Sequence, residues 1–371
     1  MKITTASVLI VICFVCAGPL ANIKAVSPPP DGDYPGGNTA EGQEALFGLT
    51  SGGFNTAVGW LSLATVSTGD LNTGVGAGTL LFNTADGNTA TGAAALFSNT
   101  SGFGNTANGS FALANNITGI NNTAVGREAL SGDTTGSNNT AVGTGALISN
   151  TTSSNNTAVG REALLLNTTG ESNVAIGRGA LANSTTGDSN LALGIDAGNQ
   201  VVTASNVITI GHTGADVSNT TWIGNVFGVT TQSGTTAPVI VSDTGQLGTV
   251  VSSERFKKDI STMEKTSEAI LALRPVTFHY RTDARNTPQF GLVAEEVAKV
   301  NAALVLADKE GKPYTVRYDV VNAMLLNEFL KEHRKVEQLE KQIEALTAGL
   351  QKVNAQLEAS KPATQTVLNN R

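Results

Sequence analysis

An asparagine returns almost every seventeenth residue through the first half of the chain, at Asn38, Asn55, Asn72, Asn88, Asn105, Asn122, Asn139, Asn156, Asn173 and Asn190. One spacing is 16 and the others are 17. A glycine follows each asparagine four positions later, from Gly42 to Gly194, and most units then read Ala-Leu, as at Ala129-Leu130 and Ala163-Leu164. A short fixed period describes a stack in which each unit touches only its neighbours. Seventeen residues are too few for a pair of helices. They suffice for a short β segment (Thr-Ala-Val), a turn at Gly, a second apolar point and a Thr/Gly-rich return. The pattern therefore predicts a mainly β chain whose residues 38–198 form a β-solenoid or β-roll of ten coils.

Strand geometry assigns the faces. Neighbouring side chains point to opposite sides, so Thr56 and Val58 share one face and Ala57 takes the other. The small alanine suits a crowded interior, and stacked asparagines can hydrogen-bond along the axis. The recurrent glycine suits positive φ or close approach of backbone. At roughly 4.8 Å per coil, ten coils span roughly 50 Å. Each coil offers only one or two modest apolar side chains, so one chain is expected to bury a thin core and several chains to wrap together. The units resemble the head repeats of trimeric autotransporter adhesins, and Asn173-Val174-Ala175-Ile176-Gly177 carries that likeness most fully. Sequons such as Asn150-Thr151-Thr152 and Asn167-Thr168-Thr169 read as turn chemistry, where Asn and Thr are favoured.

The flanks differ from the repeat. Lys2, an apolar run over Ala6–Val15 and small residues around Ala17–Ala21 read as a secretory signal peptide over residues 1–25. That run is short for a membrane span, and no other stretch qualifies, so a secreted or cell-surface protein is expected. The alternative is an uncleaved anchor. Residues 26–37 are a Pro/Gly linker. Residues 199–251 break the period but stay strand-like, with a hairpin around Ser242–Gly245, and are expected to form a β stalk.

Charge divides the chain at the same place. Residues 1–250 carry 5 basic and 14 acidic side chains, whereas residues 251–371 carry 18 and 16. The acidic balance and the lack of a dense basic patch argue against nucleic acid as partner. Both cysteines, Cys13 and Cys16, lie in the signal segment, and the three histidines are scattered. No cofactor and no metal are expected. A polysaccharide lyase or glycosidase on the solenoid is a weak reading, because Glu128 and Glu162 share one slot of their units and look like solvated repeat positions.

From Ser252 the composition is that of an ordinary small α+β domain over residues 252–333. Heptad positions follow at Val336, Leu339, Ile343, Leu346, Leu350, Val353 and Leu357, which predict a coiled coil over residues 334–360. The alternative is an amphipathic helix packed on its own domain. Residues 361–371 are expected to form a disordered tail.

Three pieces occur here in order: Ser252–Lys257 (SSERFK), Gly291–Val297 (GLVAEEV), and Val316-Arg317-Tyr318-Asp319 leading into the last helix. Together they resemble the intramolecular chaperone autoprocessing domain of phage tail spikes and endosialidases, serine peptidase family seventy-four. The resemblance implies a domain that assembles a homotrimer and then removes itself. It further implies Ser252 as nucleophile, Lys257 as base and a scissile bond between Val251 and Ser252. Many members have Asp after that serine; here Ser253 stands there, and either serine can be the attacker. A hydroxyl needs a base to take its proton. Lysine serves only when neutral, which requires burial or a neighbouring cation, and Arg255 and Lys258 are the cations at hand. The expected function is thus a trimeric, fibre-like surface protein with a self-cleaving assembly domain. Any glycan or cell-surface ligand is unknown. The alternative is a structural adhesin with an inert trimerisation tail.

Overall fold

The computed structural model describes residues 34–360, so the signal-peptide reading, most of the Pro/Gly linker and the disordered-tail reading lie outside the described residues. The described residues divide into two compact units, with the boundary between Gly234 and Thr235.

The first unit is the solenoid. Twelve three-residue strands, β1 (Thr39–Glu41) to β12 (Thr221–Ile223), form one parallel sheet in simple sequence order. Partners lie one repeat apart, as in Thr140↔Thr157, Ala141↔Ala158 and Val142↔Val159. The central alanine of nearly every strand is buried and its neighbours face outward, as the alternation required. The sheet does not stop at residue 198. β10 (Leu191–Leu193) pairs with β11 (Ile208–Ile210) one full period on, and β11 pairs with β12 after a coil of only 13 residues. The stack therefore takes in the start of the segment read as a stalk. The hidden strand alternation continued where the Asn–Gly spacing had lapsed.

The asparagine column supplies the vertical bonding, in a form the sequence only half disclosed. The rungs pass from side chain to backbone. Asn139 Oδ1 accepts from the Asn156 N–H at 3.0 Å, and Asn139 Nδ2 donates to the Ser153 carbonyl at 2.8 Å. The same pair of bonds recurs at Asn105, Asn122, Asn156 and Asn173. These side chains are buried, so each rung satisfies backbone groups that water cannot reach. A second column stands at Asn83, Asn99, Asn116, Asp133, Asn150 and Asn167, all fully buried. Burial of Asn150 and Asn167 denies a glycan access to those sequons. Their threonines serve the stack: Thr151 Oγ1 donates to the Thr168 carbonyl at 3.1 Å, one coil on.

One chain closes the thin interior of the solenoid by itself, with no second chain wrapped into it. Most coils tuck in their strand alanine and the following Ala-Leu pair, so Ala124, Ala129 and Leu130 are all fully buried. The leucine achieves this in a backbone region that bulky residues avoid. Leu130 has φ 52° and Leu164 has φ 51°. Left-handed backbone costs roughly 1–2 kcal/mol for a residue with a Cβ. Burying a leucine returns roughly 1.5–3 kcal/mol, and the Leu130 N–H still donates to the Ala146 carbonyl of the next coil at 3.0 Å. Burial wins, narrowly, from Leu46 to Leu181, and in the next coil Gly198 takes the same left-handed place with φ 70°. The recurrent glycine is forced: at Gly143, φ is +133° and a Cβ would sit 2.5 Å from the Gly160 carbonyl oxygen.

The second unit is built differently. β13 (Val239–Val241) and β14 (Leu247–Thr249) form the hairpin read from the sequence, antiparallel around Gly245. A 3-10 segment spans Glu264–Ala272. β15 (Val276–Phe278) pairs antiparallel with β16 (Gln289–Gly291), and helix α1 (Ala294–Val300) follows. β17 (Val305–Ala307) and β18 (Pro313–Val316) form the charged hairpin. The helix α2 runs without interruption over Tyr318–Ser360, so it joins the small domain to the heptad region in one element. The buried hydrophobic side chains of this unit, among the described residues, are Val297, Leu304, Val316 and Met324.

Two substitutions test the stack. Asn139→Ala leaves the Asn156 N–H buried and unpaired, at a cost of about 1–3 kcal/mol, while the Ser153 carbonyl keeps its bond from Asn150 Nδ2 at 3.0 Å. Gly143→Ala meets backbone that cannot retreat. Both should lower the denaturant midpoint of the solenoid clearly more than the control Thr144→Ala at a solvated position.

Candidate functional site

Ser252 follows β14 by three residues, and a short 3-10 turn over Glu254–Phe256 comes next. The Phe256 N–H donates to the Ser253 carbonyl at 3.0 Å and the Lys257 N–H to the Glu254 carbonyl at 2.9 Å. This one turn reverses the chain enough to bring the fifth residue back over the first. Lys257 Nζ lies 3.2 Å from Ser252 Oγ, within the reach required of a base and its nucleophile. Both residues are exposed, and so is Val251 before them. Arg255, one of the two cations named from the sequence, lays its guanidinium over the Phe256 ring at 4.6 Å.

A second serine–lysine pair, which the sequence did not suggest, lies in the same unit. Ser267 is fully buried on the 3-10 segment, beneath α2. Its hydroxyl donates to Glu328, accepts from Asn327 Nδ2 at 2.7 Å, and lies 3.4 Å from Lys331 Nζ. Lys331 also binds Glu328 at 2.7 Å and Glu268 at 3.5 Å. The Glu328 hydrogen bond raises the lysine above its ordinary pKa, and the Lys331 hydrogen bond holds the glutamate below its own. A lysine so held stays charged and cannot accept a proton near neutrality. Ser267 is therefore a polar tie between the 3-10 segment and α2. The partners are 60 to 64 residues from Ser267 in sequence, a separation at which no spacing motif signals contact.

The rest of the unit fixes these pieces. The Tyr318 hydroxyl accepts from the Leu292 N–H at 3.0 Å, joining the start of α2 to the chain after β16. A Cβ on Gly291 would lie 2.7 Å from that hydroxyl, which explains a glycine at this place in the GLVAEEV block. Arg274 pairs with Glu296 on α1 through two hydrogen bonds. The second and third ordered motifs thus meet in space. No helix among the described residues is long and apolar enough to cross a membrane.

If Ser267 is a structural tie, Ser267→Ala should destabilise the C-terminal unit by about 0.5–1.5 kcal/mol through the lost hydrogen bonds, since Glu328 keeps Lys331 and Asn327 keeps the Glu264 carbonyl. Urea unfolding monitored in that unit checks this.

No curated protein matches the chain. No solved structure matches it either. A family model does match, over residues 252–306, and its description is chaperone of endosialidase. The match begins at Ser252 itself, so the segment that holds the Ser252–Lys257 pair and the GLVAEEV block is similar to the endosialidase chaperone family.

Proposed function

We propose that the protein is a secreted, trimeric, fibre-like surface protein whose C-terminal domain drives assembly and then cleaves the chain between Val251 and Ser252. The observation that carries this reading is the 3.2 Å approach of Lys257 Nζ to Ser252 Oγ at the first residue of the family match.

Assembly is supported by what the second unit leaves uncovered. Its buried core is four hydrophobic side chains, less than a domain of this size needs to stand alone. All seven heptad positions of α2 are exposed, Leu346 to 68%. A helix with an unbroken a/d seam in water is an unfinished coiled coil. Every strand residue of the β13–β14 hairpin is exposed as well, and an isolated two-stranded hairpin is at best marginally stable. Partner copies would cover both surfaces. The solenoid needs no such help to close its core, so assembly is a task of the C-terminal unit.

The chemistry follows from the pair. Neutral Lys257 takes the Ser252 hydroxyl proton, and Oγ attacks the Val251 carbonyl carbon. The C–N bond to Ser252 breaks, its nitrogen gains a proton to become a free amine, and an ester joins Val251 to Ser252 Oγ. Water then hydrolyses the ester to the Val251 carboxylate and the restored hydroxyl. Because the attack is intramolecular, proximity supplies much of the rate. In the single chain, however, Lys257 is exposed to solvent. Burial against a partner copy would disfavour the charged form, so cleavage follows assembly. The exposure of the pair in one chain equally favours a second reading, an inert tail that assembles and never cuts.

Intact mass of purified protein separates the two. A fragment beginning at Ser252 is expected, absent in Ser252→Ala and Lys257→Met and retained in Ser253→Ala. A Lys331→Met variant should still cleave wherever it still assembles. One full-length mass for every variant contradicts self-cleavage and leaves the inert tail.

A further inference from the structure

The second polar column of the solenoid contains one acid. Its rungs run in one sense: Asn99 Nδ2 donates to Asn83 Oδ1 at 2.6 Å, Asn116 Nδ2 to Asn99 Oδ1 at 2.6 Å, Asn150 Nδ2 to Asp133 Oδ1 at 2.8 Å, and Asn167 Nδ2 to Asn150 Oδ1 at 3.0 Å. Between Asn83 and Asn167 one link in this series is missing; beyond it Asn167 Oδ1 and Ser184 Oγ are also unpaired, but there a hydroxyl carries a proton of its own. Asp133 occupies the rung after Asn116, and where an asparagine would present an N–H it presents Oδ2. Asn116 Oδ1 and Asp133 Oδ2 are both buried and both lack a hydrogen-bond partner. Two acceptors at consecutive rungs, in a column whose other amides pair in this same sense, lack one proton between them. The Gly136 carbonyl accepts from Asn122 Nδ2 at 2.8 Å, and its equivalents Gly102 and Gly119 accept a second bond from Asn99 and Asn116 of this column, but a bond there would still leave Asn116 Oδ1 unpaired.

We propose that the folded solenoid holds Asp133 as the neutral acid, its O–H donating to Asn116 Oδ1, which makes this coil a pH-sensitive joint in the stack. Nothing charged opposes the arrangement. The coils before and after, residues 105–121 and 139–155, contain no charged residue. The coil itself adds only Arg127 and Glu128, which lie beside one another toward solvent at 3.6 Å. The groups facing Asp133 are Asn116, Asn150 and the Gly136 backbone. Burial pushes the carboxyl up to about 7 from an ordinary 3.8, against the downward pull of the Asn150 and Gly136 hydrogen bonds.

The direction of the pH effect follows. Below pH 3.8 the acid is neutral in folded and unfolded chains alike, and its contribution is intact. Between pH 3.8 and about 7 only the unfolded chain ionises, so stability falls steadily. Above about 7 the folded carboxylate ionises too, facing an amide oxygen, and the loss is complete.

The test compares thermal unfolding of the full chain with Asp133→Asn, which restores the missing N–H donor, by far-ultraviolet circular dichroism from pH 4 to 8. The midpoint of the variant should exceed that of the wild type by a margin that is small at pH 4, grows to several degrees by pH 7, and then levels. Parallel curves overturn the proposal. Infrared spectroscopy of the wild type gives a check that requires no variant. A protonated carboxyl stretching band should be present at pH 5.5, where ordinary carboxylates are ionised, and gone at pH 8.5. Its absence at pH 5.5 equally overturns the proposal.

Discussion

The solenoid depends on one bond repeated at every level: a buried asparagine oxygen accepting the backbone N–H of the asparagine one coil above. A parallel sheet of three-residue strands offers little ladder bonding of its own, and its turns enclose backbone groups that water cannot reach. The asparagine satisfies two of them at once, because its amide carries both an acceptor and donors. That requirement sets the register. It also places the glycine four residues on, where coils approach too closely for a Cβ, and leaves an interior only wide enough for alanine and one leucine. A column of neutral amides then tolerates an acid only if that acid takes up a proton. Asp133 is the point at which the bonding rule of the stack becomes a dependence on solution conditions.

The two units solve the problem of a small core in opposite ways. The solenoid adds identical thin layers until the sum is sufficient, as stacked repeats do. The C-terminal unit leaves apolar surface exposed on the α2 seam and the β13–β14 hairpin, where partner copies would cover it. Division of labour follows. The repeats hold their shape once formed, but long-range parallel pairing is slow to form and exposes strand edges on the way. An assembly domain is useful during that interval and dispensable after it. A one-time cut at Val251–Ser252 fits such a role better than a turnover enzyme does.

Much of this was legible in the sequence, for identifiable reasons. The Asn–Gly spacing names the coil, and strand alternation places Ala57 and its equivalents inside. The heptads fall on a continuous helix, and the hairpins lie where their turn residues put them. The closed core was not legible, because it rests on leucines such as Leu130 in left-handed backbone, a conformation no propensity would assign to them. The segments of β11 and β12 read as strand-like, but their place in the solenoid sheet was not legible, because Val207 stands where the asparagine is due and the next coil shortens to 13 residues. For the candidate site, Ser252 and Lys257 were named from motif order, and five residues with one turn between them suffice to join them. The Ser267–Glu328–Lys331 tie had no local signal. Its formal likeness to a serine–lysine pair shows why charge state, and not residue type, decides which lysine can act as a base.

The central claim is that one chain is an incomplete object at its C-terminal end. The most direct measurement is the molar mass in solution of the full-length Ser252→Ala protein, by light scattering on a sizing column, beside a variant with Leu346→Lys and Leu350→Lys in the exposed seam. Three chains per particle for the first and a loss of that association for the second are the predicted results. A single-chain mass for Ser252→Ala, with its heptad seam open to water and the protein still folded, would contradict the claim.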